Sequence, residues 1–213
     1  MPRTRQPIDP EKKARILQAA MHEFAHHGYR DAKTDAIANA ADVSKGLIFH
    51  YFGSKANLYL ETIQTTFDKI MAAADLSVWQ DAPDFRTMVA RALRYKIQLQ
   101  LQYPDEFTLS MAAYAELGSL PETLRPKVRA IWQKLMATSV PTITSPVVGR
   151  LKLRAGVSAE QVQGMVMMVL NAIAEQSKAM ISTNPALSIE AFDPIVQQAM
   201  GYMDILEHGF LAE

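Results

Sequence analysis

The chain has 213 residues, 49% of them hydrophobic and 21% charged, which excludes wholesale disorder and provides for a sizeable buried core in one or two domains. With no cysteine, it can form no disulfide, thiolate metal site or cysteine nucleophile. Its longest apolar run, Met165 to Leu170, is far too short to cross a bilayer. The formal net charge is zero, yet residues 1–55 hold nine Lys and Arg against six Asp and Glu, and residues 56–213 hold thirteen against sixteen. A small basic head suits a polyanion. An acidic body that holds ten of the twelve methionines suits something apolar. Arg3, Arg5, Lys12, Lys13 and Arg15 precede no apolar h-region, so no secretory signal is expected, and the expected compartment is the cytoplasm, with no membrane partner.

Helix punctuation recurs along the chain, and strand signals are nearly absent. Helices are expected at 10–27, 34–41, 45–51, 55–74, 84–103, 105–117, 121–138, 158–182 and 194–211. Asp9-Pro10 and Asp193-Pro194 read as N-caps followed by proline at the first helical position. Ser119 with Glu122, and Ser158 with Gln161, have capping-box spacing. Gly28 stands where a helix would end. The Pro/Ser/Thr-rich stretch 139–147 reads as a loop, as does 183–193, and a short helix is expected near 147–155.

The first helix carries Ile16, Leu17, Ala20, Met21 and Phe24 on one stripe. Two short helices follow, with Thr34 and Ser44 as their expected caps and the turn Ala41-Asp42-Val43 between them. That is the pattern of a helix-turn-helix unit, whose second helix enters the DNA major groove. At 100° per residue, Ile48, Tyr51 and Phe52 face the core. Gly46, Leu47 and His50 fall opposite, with Lys45 at the edge. Gly46 lets a backbone approach, Leu47 can touch a thymine methyl, and Lys45 can reach guanine O6 and N7. Lys55 and the Thr34 hydroxyl suit phosphates. The bland alternative is a small helical domain whose exposed leucine and lysine have no partner.

The segment Arg15-Ile16-Leu17-Gln18-Ala19-Ala20, with Phe24, Gly28, Thr34, Ile37-Ala38, Ala41, Val43-Ser44-Lys45-Gly46, Tyr51-Phe52, Ser54-Lys55 and Leu58, resembles the N-terminal signature of TetR-family transcriptional regulators. The resemblance covers about residues 12–60. It implies a homodimeric repressor with a variable effector-binding C-terminal domain. It also implies DNA contacts at Thr34, Ser44, Lys45, Gly46, Leu47, Phe49, His50, Tyr51 and Lys55. Leu47 stands where the family often has Thr or Ala, and Phe49 where it often has Tyr, so Phe49 cannot donate to a phosphate. Asp42 replaces a frequent glycine and must tolerate the turn conformation.

His22-Glu23-Phe24-Ala25-His26 is a literal H-E-x-x-H, the spacing that zinc hydrolases use. Here both histidines point away from the core stripe, and no third ligand follows at a recognisable spacing. A solvated helix face is the expected reading, with no metal, no cofactor and no catalytic residue, and the chain is not expected to be an enzyme.

In the body, the helix 158–182 is apolar nearly all round, and the last helix has one apolar stripe. Paired with those of a second copy they would make a four-helix dimer interface. The expected contacts are Val162, Met165, Val169 and Ile173 with Ala199, Met203, Leu206 and Phe210, and Gly164 and Gly201 would allow close crossings. Isolated polar groups among apolar ones suggest a pocket for a small apolar effector. Its expected lining is Tyr95, Gln98, Gln102, Phe107 and Met111, then Tyr114, Trp132, Met168 and Asn171. The alternative is that these residues are plain core.

The expected fold is therefore all-α. A three-helix helix-turn-helix head, residues 1–55, precedes a larger helical bundle, residues 56–213, for effector binding and dimerisation. The partners expected are a double-stranded palindromic operator, a small lipophilic effector that releases it, and a second copy. The alternatives are a helix-turn-helix protein without an effector and, more distantly, a zinc hydrolase using His22, Glu23 and His26.

Overall fold

A computed structural model describes residues 9–183 and 189–209, without the side chains of Phe85, Tyr114, Val140, Leu170, Asn171, Ala174, Glu175, Lys178, Ile181, Ser182 and Ile189. Every regular element among the described residues is helical. The Asp9 side chain accepts from the backbone N–H groups of Glu11 (3.0 Å) and Lys12 (3.3 Å) and so caps α1 (Pro10–Asp31). Gly28 breaks the helical geometry with φ +65°, and the chain resumes helical turns as far as Asp31.

Next comes α2 (Thr34–Ala40). Thr34 is its first helical residue rather than its cap. The cap position is Lys33, and the Lys33 N–H donates to Glu23 Oε1 at 2.8 Å, so a side chain from α1 does what the threonine was expected to do. The helix ends in a Schellman arrangement. Val43 N–H bonds the Ala38 carbonyl (3.0 Å) and Asp42 N–H that of Asn39 (3.2 Å). Asp42 occupies the left-handed position with φ +52°, as the turn required of it.

The cap of α3 (Lys45–Phe52) is Ser44, whose Oγ accepts from Leu47 N–H at 3.2 Å. Ser54 caps α4 (Lys55–Ala73) in the same way through Asn57 N–H, at 3.1 Å. Then follow α5 (Ser77–Gln80), α6 (Phe85–Gln102), α7 (Pro104–Ala115), a 3-10 turn at Leu117–Ser119, α8 (Arg125–Val148), α9 (Ala159–Thr183), a 3-10 turn at Ile189–Phe192 and α10 (Asp193–His208).

Local signals misplaced three boundaries. Ser119 donates its hydroxyl to the Glu116 carbonyl at 2.9 Å instead of making a capping box with Glu122, and α8 starts only at Arg125. The stretch 139–147 is helix, not loop, and runs through Pro141 and Pro146. A proline removes one helical hydrogen bond and orphans the carbonyl four residues back. For Pro146 that carbonyl belongs to Thr142, and it accepts from Gln80 Nε2 at 3.0 Å. Ser139, Thr144, Val147 and Val148 are buried, so packing holds the segment helical against its propensity. The helix stops at Val148, and no separate helix follows over 149–155. Phe192, not Asp193, is the cap residue of α10, and the Asp193 carboxylate instead meets Arg94 at 3.2 Å. The Ser158–Gln161 box does form, at 2.9 and 3.1 Å.

The chain forms two compact units. One comprises residues 1–74 and 103–136, and the other residues 75–102 and 137–213. In the first, Ile16, Ala20 and Phe24 of α1 meet Ile37 and Ala38 of α2, Ile48 and Phe52 of α3, and Leu58, Tyr59 and Ile63 of α4. Leu109 and Ala113 of α7 and Val128 of α8 complete that core. In the second, Met88, Val89 and Ile97 of α6, Val147 of α8, Ile173 of α9, and Val196, Ala199 and Met203 of α10 form a separate core. The first unit therefore includes α4, α7 and the start of α8 as well as residues 1–55. No described helix is long and apolar enough to cross a membrane.

Candidate nucleic-acid interface

The two faces of α3 differ in burial. Ile48 is 1% exposed and Phe52 5%, so this side is fixed in the core. On the other side Lys45, Gly46, Phe49 and His50 are exposed, and Leu47 is half-buried. Ser44 holds the N-terminus of the helix open at the surface, and its own hydroxyl is spent on the cap. A Cβ added to Gly46 would meet nothing closer than Ser44 Oγ at 3.9 Å. The fold therefore does not demand glycine there, whereas a molecule lying close against the backbone would.

Lys45 Nζ donates to Asp35 Oδ2 of α2 at 2.8 Å. Both side chains are about half exposed or more, so the pair is weak and its ammonium is easily transferred to another acceptor. Tyr51 is half-buried, and its hydroxyl accepts the Asp9 N–H at 3.0 Å, which ties α3 to the start of α1. The hydroxyl proton remains to donate. Thr34 is half-buried at the N-terminus of α2.

Lys55 is placed differently from the sequence expectation. Its Nζ donates to the carbonyls of Arg30 (3.1 Å) and Ala32 (2.5 Å) and sits 5.2 Å from the Tyr29 ring. Burial pushes its pKa down, while Asp31 and Glu23 act the other way. The ammonium closes the end of α1 and is not presented at the surface beside Lys45.

Residues 16–62 match the family model described as bacterial regulatory proteins, tetR family. Over these residues the chain is similar to the TetR family. An HTH-type transcriptional repressor from Streptomyces coelicolor is 40% identical over 88 residues, covering 41% of this chain and 44% of that protein. The HTH-type transcriptional regulator BetI from Agrobacterium fabrum is 29% identical over 134 residues, covering 62% and 65%. The chain spans about half the length of the curated relatives it matches. The fold is that of a transcriptional regulator from Rhodococcus sp. Rha1, with a TM-score of 0.68 at 18% identity over 94% of this chain and 99% of that one. It is also that of the regulator FadR from Bacillus subtilis in complex with stearoyl-CoA, with a TM-score of 0.62 at 16% identity over 93% and 99%.

The H-E-x-x-H segment is engaged by contacts with other parts of the fold. Glu23 accepts the Lys33 N–H and lies 3.8 Å from His27, so it is spent on positioning α2. The two histidines do find a third group that their spacing could not announce. His22 Nδ1 is 2.7 Å from Asp105 Oδ2, and His26 Nε2 is 3.0 Å from Asp105 Oδ1. Burial pushes the Asp105 carboxyl up, but hydrogen bonds from both imidazoles outweigh it and hold its pKa below the ordinary aspartate value.

The expected pocket residues fall in both compact units. Tyr95 and Gln98 line an open groove of about 410 Å³ with Ser77, Val78, Asp81, Arg91 and Arg94. Most of its lining side chains end in polar or charged groups, while apolar atoms make up the larger part of its surface. Tyr95 is held there by the Asp75 N–H (2.8 Å) and by edge contact with Trp79 (5.2 Å). Gln102 and Met168 are exposed, Phe107 is buried, and Met111 and Trp132 are half-buried, with Trp132 edge-on to Phe67 at 5.2 Å. The side chains of Tyr114 and Asn171 lie outside the described residues.

Of the expected interface residues, Ile173, Ala199 and Met203 are fully buried in the core of their own unit and have no surface to offer a second chain. Val162, Val169 and Leu206 are half-buried. Met165 is 44% exposed, and Phe210 lies outside the described residues. The apolar surface on these helices comes from Met165 and Met168 of α9 and Tyr202 and Ile205 of α10. Gly164 and Gly201 face open space in the single chain.

Proposed function

We propose that the protein is a cytoplasmic, homodimeric transcriptional repressor that places two copies of α3 in successive major grooves of a palindromic operator. The observation that carries this reading is the outer face of α3. Its glycine is exposed without a structural need, its lysine is held only by an exposed carboxylate, and the opposite face is locked in the core. Residues 1–55 supply the DNA contacts and residues 56–213 the dimer and the effector site. Dimerisation draws support from the exposed apolar side chains Met165, Met168, Tyr202 and Ile205. A dimer sets the two heads about 34 Å apart, the spacing of half-sites one helical turn apart.

The ligand that releases the operator is a small lipophilic molecule bearing an acidic group. Arg91 and Arg94 face the groove beside Tyr95, with Asp81 in the same lining and Arg94 also paired to the exposed Asp193 carboxylate at 3.2 Å, and the fold relative FadR was solved with stearoyl-CoA. Such a ligand must bind the DNA-incompetent state more tightly, since equal affinity for both states shifts nothing. Selection of bound fragments from random DNA, followed by a compound screen for release of the winning site, tests the whole reading. An inverted repeat with half-sites about ten base pairs apart is expected. A site that no compound releases would leave a helix-turn-helix repressor without an effector.

A further inference from the structure

The H-E-x-x-H histidines take no part in the DNA-binding reading, yet they are built into a convergent group. His22 and His26 lie one turn apart on α1, and Asp105 enters from the first turn of α7. One imidazole meets each oxygen of the same carboxylate, at 2.7 and 3.0 Å. We propose that His22, His26 and Asp105 form a binding site for a divalent transition-metal ion of the zinc type, which clamps α1 to α7.

Two imidazoles and a carboxylate are the donors that zinc, cobalt and nickel ions take. One atom from each of the three lies within 4.8 Å of the others. In a tetrahedral site with bonds of about 2.1 Å, neighbouring donors are about 3.4 Å apart, so small rotations about the side-chain bonds admit an ion. His22 and His26 are 65% and 51% exposed, and Asp105 26%. The ion therefore has a way in, and a coordination position stays open to water. The rings lie 4.4 Å apart, centroid to centroid. One dication between the two rings and the carboxylate satisfies all three donors at once. Glu23 is committed to the Lys33 N–H, so the site lacks the general base a hydrolase needs and acts by binding.

The test uses the full-length chain, stripped with a chelator and titrated with Zn²⁺ by calorimetry and with Co²⁺ by visible absorption. One ion per protomer is expected, with a cobalt spectrum of low coordination number and a rise in melting temperature. H22Q, H26Q and D105N should each weaken binding by about tenfold or more and remove the zinc-dependent rise. H27Q, on the same helix but outside the group, should change neither. All four side chains are partly or largely solvent-exposed, and circular dichroism of each variant confirms that it is folded. Saturable binding absent below about 100 µM ion, or binding that survives both D105N and the double variant H22Q/H26Q, would overturn the site.

Discussion

The Lys55 ammonium donates to the carbonyl oxygens of Arg30 and Ala32, and so the first residue of α4 closes the last turn of α1. Arg30 lies in the last turn of α1 and Ala32 is its cap residue, where carbonyls lack intrahelical donors. Lys55→Ala should therefore act on stability, costing about 1–2 kcal/mol for the lost charged hydrogen bonds. The slope of operator affinity against salt should hardly change. Denaturant melts and salt titrations of the same variant separate the two roles. A slope reduced by about one with stability intact would return Lys55 to the phosphates.

Gly46→Ala should stabilise the free protein by up to about 1 kcal/mol, because alanine is the better helix former and its methyl group meets open space. Operator affinity should nevertheless fall. A variant that is both more stable and as tight a binder would show that no DNA backbone or base edge comes close to this position.

Lys45→Ala should cost about 1–3 kcal/mol on operator DNA and little on non-specific DNA, as expected of a base contact. Asp35→Asn should have the opposite sign, because it releases the ammonium from its exposed partner at almost no cost to folding. Binding isotherms on cognate and scrambled duplexes decide it. Equal losses on both duplexes would make Lys45 a phosphate anchor.

On α9 and α10 exposure separates two kinds of methionine. Met168→Lys or Ile205→Lys should yield a folded chain that sediments as a monomer, since these side chains are 65% and 45% exposed. Met203→Lys should unfold the second unit, because it puts an unpaired charge where the side chain is 0% exposed. Sedimentation and circular dichroism together distinguish the outcomes, and a dimer unchanged by both surface variants would move the interface elsewhere.

The Asp9 cap predicts a pH dependence. The Lys12 backbone N–H holds its carboxyl below the ordinary aspartate pKa, burial opposes this, and the Glu11 N–H and the Lys12 charge add to the lowering. A folded-state pKa below the unfolded one means that the stabilisation is fully present above about pH 4 and is lost as pH falls through the folded value. Melting temperature followed downward from about pH 5 should fall more steeply for the parent than for Asp9→Asn, whose amide does not titrate in that range. Parallel curves would remove Asp9 from the acid response.

The sequence by itself determined what is decided within one or two helical turns. Asp9-Pro10, Ser44 before Leu47 and the Ser158–Gln161 box act across three residues or fewer, and each forms as read. The two faces of α3 were legible for the same reason, since its short helix puts Ile48 and Phe52 on one side and Gly46 and His50 on the other. Tertiary structure alone decided where distant groups meet. It brought Asp105 to histidines 79 and 83 residues away, engaged Lys55 at the end of α1, and satisfied Thr142 through Gln80 so that α8 could continue past Pro146. It also decided which side of the nearly all-apolar α9 is core. Periodicity cannot distinguish Ile173 from Met168 when both faces are apolar, because burial is a property of what packs against a helix rather than of the helix's own pattern.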